Sequence, residues 1–310
     1  MKIAIIGCGI TGSYLGWKLA GQGHDVYIIE RRKEIGKPVC SGMFSERLWD
    51  FVPENEKLVE HKIDSCRIHF SHKSVTLKFE PHFLLMSHAE LDRYVAKLAQ
   101  DAGAKILLGA KLEDFSAYDR VIGCDGALSE TRKSLNIKSP KLYQAIQITV
   151  SKEAKENYVE SWPTPDGFIW KIPRGKCIEY GIMDLPGVAN KLFDEFCAKH
   201  DLSKENLKAW VIPNGITIPD NEKITLCGDA AGMTKPWSGG GVLWSLHAAD
   251  ILLKTFPDFK AYKREAEKFF NPIISRANFM RKLVYIFGQN FSFLFPKEKT
   301  VDADWLTSRT

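Results

Sequence analysis

The stretch Ile3-Ala4-Ile5-Ile6-Gly7-Cys8-Gly9-Ile10-Thr11-Gly12 decides how the N-terminal part of this chain folds. Its first four residues are apolar and mostly β-branched, which is typical of a buried parallel strand. Apolar residues then recur at helical spacing as far as Gly21-Gln22-Gly23, and a second apolar strand, Val26-Tyr27-Ile28-Ile29, ends at Glu30. The sequence therefore predicts a βαβ unit with a glycine-rich turn after its first strand.

The glycine spacing and the terminal acid of this unit are typical of a dinucleotide-binding site. Gly7 permits the tight turn, Gly9 lets the backbone approach a pyrophosphate, and Gly12 lets the helix pack against the strand. The helix N-terminus, which includes Thr11, offers free N–H groups to phosphate. Glu30 is placed to accept hydrogen bonds from a ribose 2′-hydroxyl. This pattern leaves NAD and FAD open, and a glycine-rich turn without a ligand is the alternative.

Composition places the chain among ordinary globular proteins. Its 310 residues are 45% hydrophobic and 26% charged, which excludes a disordered or collagen-like chain. The net charge of +5 is mild, and no run of Lys and Arg resembles a nucleic-acid-binding patch. Seven scattered cysteines without Cys-x-x-Cys spacing argue against a disulfide framework or a metal site. With neither a signal peptide nor an apolar run of about 18 residues, we expect a cytoplasmic protein.

Two later strand–loop patterns point to the same ligand. Val121-Ile122 precede Gly123-Cys124-Asp125-Gly126, and the apolar residues 224–227 precede Gly228-Asp229-Ala230-Ala231-Gly232. The run Gly239-Gly240-Gly241 then opens a predicted helix that begins with Val242. Three such approaches exceed what NAD requires, so the pattern favours FAD. A plain helix cap is the alternative for Asp229.

Together these segments resemble the p-hydroxybenzoate hydroxylase-like FAD-dependent oxidoreductases and, within that class, the geranylgeranyl reductases, which include digeranylgeranylglycerophospholipid reductases. The family's Pro-x-x-Tyr-x-Trp-x-Phe-Pro box matches residues 165–173, with Phe168 in place of Tyr and Ile172 in place of Phe. Its Cys-x-Gly stretch matches Cys40-Ser41-Gly42-Met43-Phe44. The resemblance extends from the N-terminus to about residue 252.

The resemblance implies a fold, a cofactor and an activity. The fold class is α/β, with a Rossmann-like FAD-binding domain of ββα three-layer type and an inserted antiparallel-sheet substrate domain. The implied reaction is the saturation of double bonds in a geranylgeranyl or other prenyl chain by hydride transfer from reduced flavin. A prenylated lipid or prenyl diphosphate would be the substrate. Because the sequence has no second nucleotide fingerprint, a small redox protein is the candidate electron donor, and NADPH stays the alternative.

The resemblance also implies roles for individual residues. Residues expected to bind FAD are Gly7, Gly9, Thr11, Gly12, Glu30, Ser41, Gly42, Phe44, His88, Leu112, Asp125, Asp229, Gly240, Gly241 and Val242. His88 stands where the family has an Arg that contacts the pyrophosphate, and a neutral His would hold FAD less firmly.

Aromatic residues and one cysteine are the candidates for the reaction itself. Cys40 and Trp170 are candidate catalytic residues, and Phe168, Trp170 and Trp237 are candidate substrate-binding residues. Phe168 and Trp170 stand two positions apart on a predicted strand, so they would project to the same side and line a prenyl slot. Buried packing is the alternative for Cys40 and for the aromatic pair.

We expect three parts along the chain. The FAD-binding domain is predicted from residues 1–51, 88–137 and 218–257, and the substrate domain from residues 52–87 and 138–217. Residues 258–310 are predicted to form a C-terminal helical tail. Its aromatic residues at 291, 293 and 295 follow basic residues at 276, 281 and 282. That pattern suits peripheral contact with a membrane, and equally a helix packed on its own domain.

Two other functions stay open at this stage. Residues 168–173 are also similar to the Trp-x-Trp-x-Ile-Pro box of flavin-dependent halogenases, so a monooxygenase or halogenase is the first alternative. Gly232 argues against a hydroxylase, because hydroxylases commonly carry His there. The second alternative is a non-catalytic prenyl-binding protein on the same fold, similar to Rab GDP-dissociation inhibitors. Glu30 and Asp229 argue against that reading.

Overall fold

The computed structural model describes residues 1–36, 39–291 and 295–304, which form two sheets with helices packed on them. The elements in chain order are β1 (Lys2–Ile6), α1 (Ile10–Gly21), β2 (Asp25–Glu30), β3 (Met43–Ser45), β4 (Val59–His69), β5 (Ser74–Met86), α2 (His88–Asp101), β6 (Lys105–Leu108), β7 (Arg120–Gly123), α3 (Glu130–Ser134), β8 (Lys141–Val150), β9 (Tyr158–Pro163), β10 (Phe168–Pro173), β11 (Ile178–Asp184), α4 (Val188–Lys199), β12 (Lys208–Asn214), β13 (Ile224–Leu226), α5 (Val242–Thr255), α6 (Phe259–Phe291) and β14 (Glu298–Val301).

The first sheet is parallel and contains the predicted βαβ unit. Its strand order is β13-β7-β1-β2-β6. β1 is buried on both faces, because Ile3 and Ile5 pack with α1, α2 and α5 while Ala4 packs on the opposite side. A strand covered on both faces needs the continuous apolar run that the sequence shows. The loops that follow β1, β7 and β13 therefore emerge at one edge of the sheet.

The second sheet is mostly antiparallel and has nine strands. Its order is β12-β8-β11-β10-β9-β4-β5-β14, with β3 also paired to β5. Alternate residues of β10 face opposite sides: Phe168 and Trp170 pack in one apolar cluster, and Ile169 packs with α4 in another. The two sheets confirm the predicted α/β fold class, with a parallel sheet and a separate antiparallel sheet.

The C-terminal region differs from the predicted helical tail. α6 is helical as expected, but residues 298–301 form β14, which pairs in parallel with the edge of β5. That edge offers unpaired backbone groups, which a short polar segment can satisfy by pairing alone. Among the described residues, no helix has the length and apolar character needed to cross a bilayer. Phe293, part of the aromatic pattern considered for membrane contact, lies outside the described ranges.

Candidate functional site

One cavity of about 1590 Å³ is lined by residues of both sheets. That volume exceeds the range of about 300–1,000 Å³ that is usual for a single ligand. All the predicted catalytic and substrate-binding residues line it. The predicted cofactor-binding residues that line it are Gly7, Gly9, Thr11, Glu30, Ser41, Phe44, His88, Leu112, Asp125, Asp229, Gly240, Gly241 and Val242. Gly12 and Gly42, also predicted to bind the cofactor, are not among the lining residues.

The glycines after β1 form a tight cradle. Gly7 has a φ of +105°, and a Cβ atom there would lie 2.4 Å from the carbonyl oxygen of Cys124. A Cβ on Gly12 would lie 2.0 Å from the carbonyl oxygen of Gly7. Nothing lies within 4 Å of the Cβ position of Gly9, so the backbone there is open to a ligand. Gly7 and Gly12 are therefore held to glycine by close backbone packing, and the approach of a pyrophosphate to Gly9 stays a prediction.

Two helix N-termini meet at this cavity without side-chain caps. α1 begins after Gly9 and α5 begins after Gly241, and neither first turn contains an acidic residue. Uncapped N–H groups and the positive end of the helix dipole favour an anion or a polar oxygen. A phosphate-bearing ligand that reaches from one helix to the other therefore fits this part of the cavity.

Three carboxylates, those of Glu30, Asp125 and Asp229, line the cavity, and each one contacts a different segment of the chain. Glu30 at the end of β2 accepts hydrogen bonds from the backbone N–H groups of Cys8 and Arg32, both at 2.9 Å. Asp125 accepts from the Ser129 hydroxyl at 2.5 Å and from the Thr131 amide at 3.0 Å, so it fixes the start of α3. The Oδ1 atom of Asp229 lies 2.8 Å from the Cβ position of Gly241, which keeps that position free of a side chain.

The groups around His88 favour its protonated form, in contrast to the neutral residue expected from the sequence. Its side chain is 9% exposed, and its Nε2 atom lies 3.4 Å from Oδ1 of Asp92. Burial lowers the pKa of the imidazole, but Asp92 and Cys40 together raise it more, to about 10. In its protonated form His88 contributes a positive charge to the wall of the cavity. Cys40 also lines the cavity, and its sulfur accepts a hydrogen bond from the Gly42 amide at 3.4 Å.

The opposite end of the cavity has aromatic and apolar walls. The rings of Phe168 and Trp170 are 5.9 Å apart, and Trp210 lies 6.3 Å from Trp170. The Trp170 indole lies over Gly181, where a Cβ atom would approach its Cζ2 atom to 2.2 Å. Trp210 is not among the residues predicted from the sequence, because β12 has only a weak strand pattern of its own. Its only local signal is the apolar run that ends at Pro213.

A buried ion pair holds Trp170 in place. The indole Nε1 donates to Oε1 of Glu179 at 3.0 Å, and Arg174 Nε donates to Oε2 of the same carboxylate at 3.0 Å. Arg174 also donates to the backbone carbonyl of Ser41, next to Cys40. Burial raises the pKa of Glu179, an effect that Arg174 and Trp170 only partly offset. Arg174 thus links the aromatic wall to the loop that carries Cys40.

No group of three or more His, Cys, Asp and Glu side chains in the described parts of the chain is arranged to hold a metal ion. The polar groups of the cavity are instead backbone amides, carboxylates, His88 and basic side chains such as Lys235 and Arg281. Such a set suits an organic ligand with phosphates and hydroxyls.

Sequence comparison relates the chain to prenyl reductases. The profile of the ketopantoate reductase PanE/ApbA family matches residues 3–42, the βαβ unit and the loop after it. Geranylgeranyl diphosphate reductase of Rhodobacter capsulatus is 28% identical over 78% of this chain and 71% of its own. Digeranylgeranylglycerophospholipid reductase 1 of Methanosphaera stadtmanae is 22% identical over 99% of this chain and 90% of its own.

Solved structures share the fold. A geranylgeranyl bacteriochlorophyll reductase-like protein from Thermoplasma acidophilum has a TM-score of 0.73 at 20% identity, over 89% of this chain and 83% of its own. PqsL of Pseudomonas aeruginosa, described as a probable FAD-dependent monooxygenase, has a TM-score of 0.67 at 16% identity, over 94% and 97%. In sequence the chain is therefore similar to the geranylgeranyl reductases over most of its length, and its fold is that of flavin-dependent oxidoreductases.

Proposed function

We propose that this chain is an FAD-dependent enzyme that saturates carbon–carbon double bonds in a geranylgeranyl or related prenyl chain on a lipid. The observation that carries the proposal is the continuity of the cavity. One end has the glycine loops and carboxylates of a dinucleotide site, and the other has apolar and aromatic walls. The names of the relatives support the same reading, because they specify geranylgeranyl substrates.

The residues at the polar end fit FAD. The loop from Gly7 to Gly9 and the N-terminus of α1 would hold the pyrophosphate, with Glu30 on the adenosine ribose. Asp229 would hold the ribityl chain, and the amides at the start of α5 would face the flavin ring. His88 contributes a positive charge to the same wall. When bound and reduced, FAD supplies hydride.

The chain's own residues would position the alkene and supply the proton. An isolated double bond accepts hydride only if the other carbon receives a proton, so positive charge develops during the reaction. The faces of Phe168 and Trp170 stabilise such charge and exclude water. Cys40 and His88, which together hold one transferable proton, are the proposed proton donor. Glu179 and Arg174 are positioning residues, because they act through Trp170.

Anaerobic turnover with a prenyl lipid tests this proposal. The purified flavoprotein is reduced with dithionite and mixed with geranylgeranylated glycerophospholipid or geranylgeranyl diphosphate. The mass of the product is then measured by mass spectrometry. We expect a gain of two hydrogens for each double bond reduced, and a strong loss of rate for Trp170→Ala. No gain with either compound would contradict the substrate class.

A flavin-dependent monooxygenase or halogenase is the second candidate, favoured by structural neighbours of both kinds. Aerobic turnover with NADPH separates the candidates, because oxygen incorporation or dependence on halide would support the second. Protein that is colourless and takes up no added FAD would instead support non-catalytic prenyl binding.

We further propose that a small redox protein donates electrons to this chain, and that the chain contacts a membrane surface. Phe279 is 62% exposed and Met280 is 41% exposed on α6, and Met280 also lines the cavity. Exposed apolar side chains at a cavity rim suit the entry of a chain from a bilayer. Sedimentation with anionic lipid vesicles should decrease for the double variant Phe279→Ser and Met280→Ser. Equal sedimentation would exclude this surface.

A further inference from the structure

Arg281 on α6 lines the cavity close to the proposed substrate walls. Its Nη1 atom donates to the Tyr143 hydroxyl at 3.2 Å and to the backbone carbonyls of Asp166 at 3.3 Å and Pro236 at 3.5 Å. Asp166 lies two positions before Phe168, and Pro236 lies one position before Trp237. The guanidinium group is therefore fixed where the two aromatic walls begin.

All three of these acceptors are neutral. The neighbouring Asp166 carboxylate faces Lys141 instead, with 3.6 Å between Oδ1 and Nζ. Lys141 also lies over the Tyr143 ring, 4.7 Å from its centroid. In the described parts of the chain, Arg281 forms no ion pair, and neither Nε nor Nη2 donates a hydrogen bond. Among the described residues, Lys141 therefore has a carboxylate partner at this end of the cavity, and Arg281 has none.

The free side of the guanidinium group has the geometry of an anion site. Nε and Nη2 form a planar fork that matches two oxygens of a phosphate, and Nη1 is already held by the protein. An anion stabilises a half-buried cation that has only neutral partners more strongly than it stabilises a fully solvated cation. Ala277, one turn before Arg281 on the same helix face, and Met280, the residue directly before Arg281, also line the cavity, so an apolar chain can pass beside them.

We infer that Arg281 binds the phosphate or diphosphate group of the prenyl substrate and so sets how far the chain enters the cavity. This inference rests on the proposed function for the identity of the substrate. The headgroup would stay at the rim formed by α6, where Phe279 is exposed, and the chain would extend toward Trp170. Recognition of the headgroup would then be separate from the chemistry at the flavin.

Ligand binding without turnover tests the inference. The oxidised holoenzyme is titrated with geranylgeranyl diphosphate and with geranylgeraniol, which has the same chain and no phosphate. For Arg281→Gln we expect the Kd of the diphosphate to rise about tenfold to a hundredfold, the range for hydrogen bonds to charged groups. The Kd of geranylgeraniol should change by less than about twofold. Arg281→Lys should recover part of the loss, and Arg264→Gln, an exposed cation on the same helix, is the matched control.

Three results would overturn the inference. An unchanged Kd for the diphosphate would exclude Arg281 as a ligand. An equal loss of affinity for both compounds would mean that Arg281 only stabilises the position of α6 through Tyr143. Inorganic diphosphate that binds as tightly as geranylgeranyl diphosphate would mean a site for a free anion rather than a lipid headgroup. A phosphate-selective loss in protein that reduces no prenyl double bond would refute the proposed function and leave this site in place.

Discussion

At the scale of single residues, Gly12 has the least room for change. A Cβ atom there would lie 2.0 Å from the carbonyl oxygen of Gly7, and backbone cannot move aside as a side chain can. Gly12→Ala should therefore push α1 away from β1, lower the ratio of flavin to protein, and cost about 1–3 kcal/mol of stability, as overpacking does. Urea unfolding and flavin absorbance measure both effects.

Gly21→Ala is the matched control for this prediction. Gly21 ends the same helix, and nothing lies within 4 Å of its Cβ position. That variant should keep its flavin and gain up to about 1 kcal/mol, because alanine loses less backbone entropy in a helix. Equal behaviour of the two variants would contradict the role given to Gly12.

The charge of His88 predicts how stability depends on pH. The pKa of His88 is about 10 in the folded chain, against an ordinary value of 6.5. The stabilisation that the charged form of His88 gives is therefore complete below pH 6.5, and it is lost as the pH rises toward 10. The difference in melting temperature between the wild type and His88→Gln should shrink across that range. Two parallel curves would show that folding does not change the pKa of His88.

Part of the cavity wall can be predicted from the residue identities alone. The glycines and Glu30 follow from a local pattern, since strand, turn and helix are contiguous in sequence. The charge of His88 does not follow in the same way. Asp92 lies one helical turn later and is visible in the sequence, but the pKa also depends on burial and on Cys40, which a distant loop supplies. Arg174 and Glu179 were missed for the same reason.

At the scale of elements, the pair β10–β11 depends on the buried ion pair behind Trp170. Arg174→Met would leave the Glu179 carboxylate, which is 3% exposed, without its cation. Breaking a buried pair in this way costs about 3–5 kcal/mol. Burial already raises the pKa of Glu179, so its stability contribution falls as pH rises above the ordinary Glu value. The melting temperature of Arg174→Met should therefore drop more than that of the wild type between about pH 5 and pH 8.

A double variant isolates the carboxylate in that experiment. Glu179→Gln keeps an oxygen for the Trp170 indole and removes the charge, so Arg174→Met with Glu179→Gln should lose the added pH dependence. If the added dependence persists in the double variant, another group causes it and the explanation through Glu179 is wrong.

Strands with alternating apolar residues were easier to foresee than strands that depend on a partner. β10 and β11 follow from their own patterns, with turn residues between them. β14 has three exposed residues out of four, and it is a strand because the edge of β5 is available. No local sequence pattern contains that information, because the pairing joins residues more than 200 positions apart.

At the scale of the whole molecule, the cavity results from bringing distant loops together. The ends of β1, β7 and β13 meet because parallel neighbours point the same way, and this explains why three glycine-bearing segments could be assigned to one ligand from sequence. The far wall follows no such rule. It combines β10, β12, α6 and the segment after β14, so the large apolar end could be predicted only in part.

The segment after β14 also connects the second sheet to the loop before α5. Asp304 is 1% exposed, and its Oδ1 atom lies 3.0 Å from Nζ of Lys235, which is also buried and lines the cavity. The Trp244 indole donates to the backbone carbonyl of Asp304 at 3.0 Å. Val301 and Ala303 line the cavity between these anchors. The position of this wall therefore depends on the buried pair.

Asp304→Asn should release that wall. The substitution leaves the Lys235 ammonium without its buried counter-charge, so residues 298–304 should exchange amide hydrogens at least about tenfold faster, as a locally opened segment does. Glu298→Gln is the control, because the Glu298–Lys78 pair on the same strand is about half exposed and contributes only about 0–1 kcal/mol. Bound prenyl lipid should slow the exchange of wild-type residues 298–304, since the ligand would pack against Val301. Equal exchange in both variants would mean that backbone pairing with β5 alone holds the segment, and that the buried pair has no part in closing the cavity.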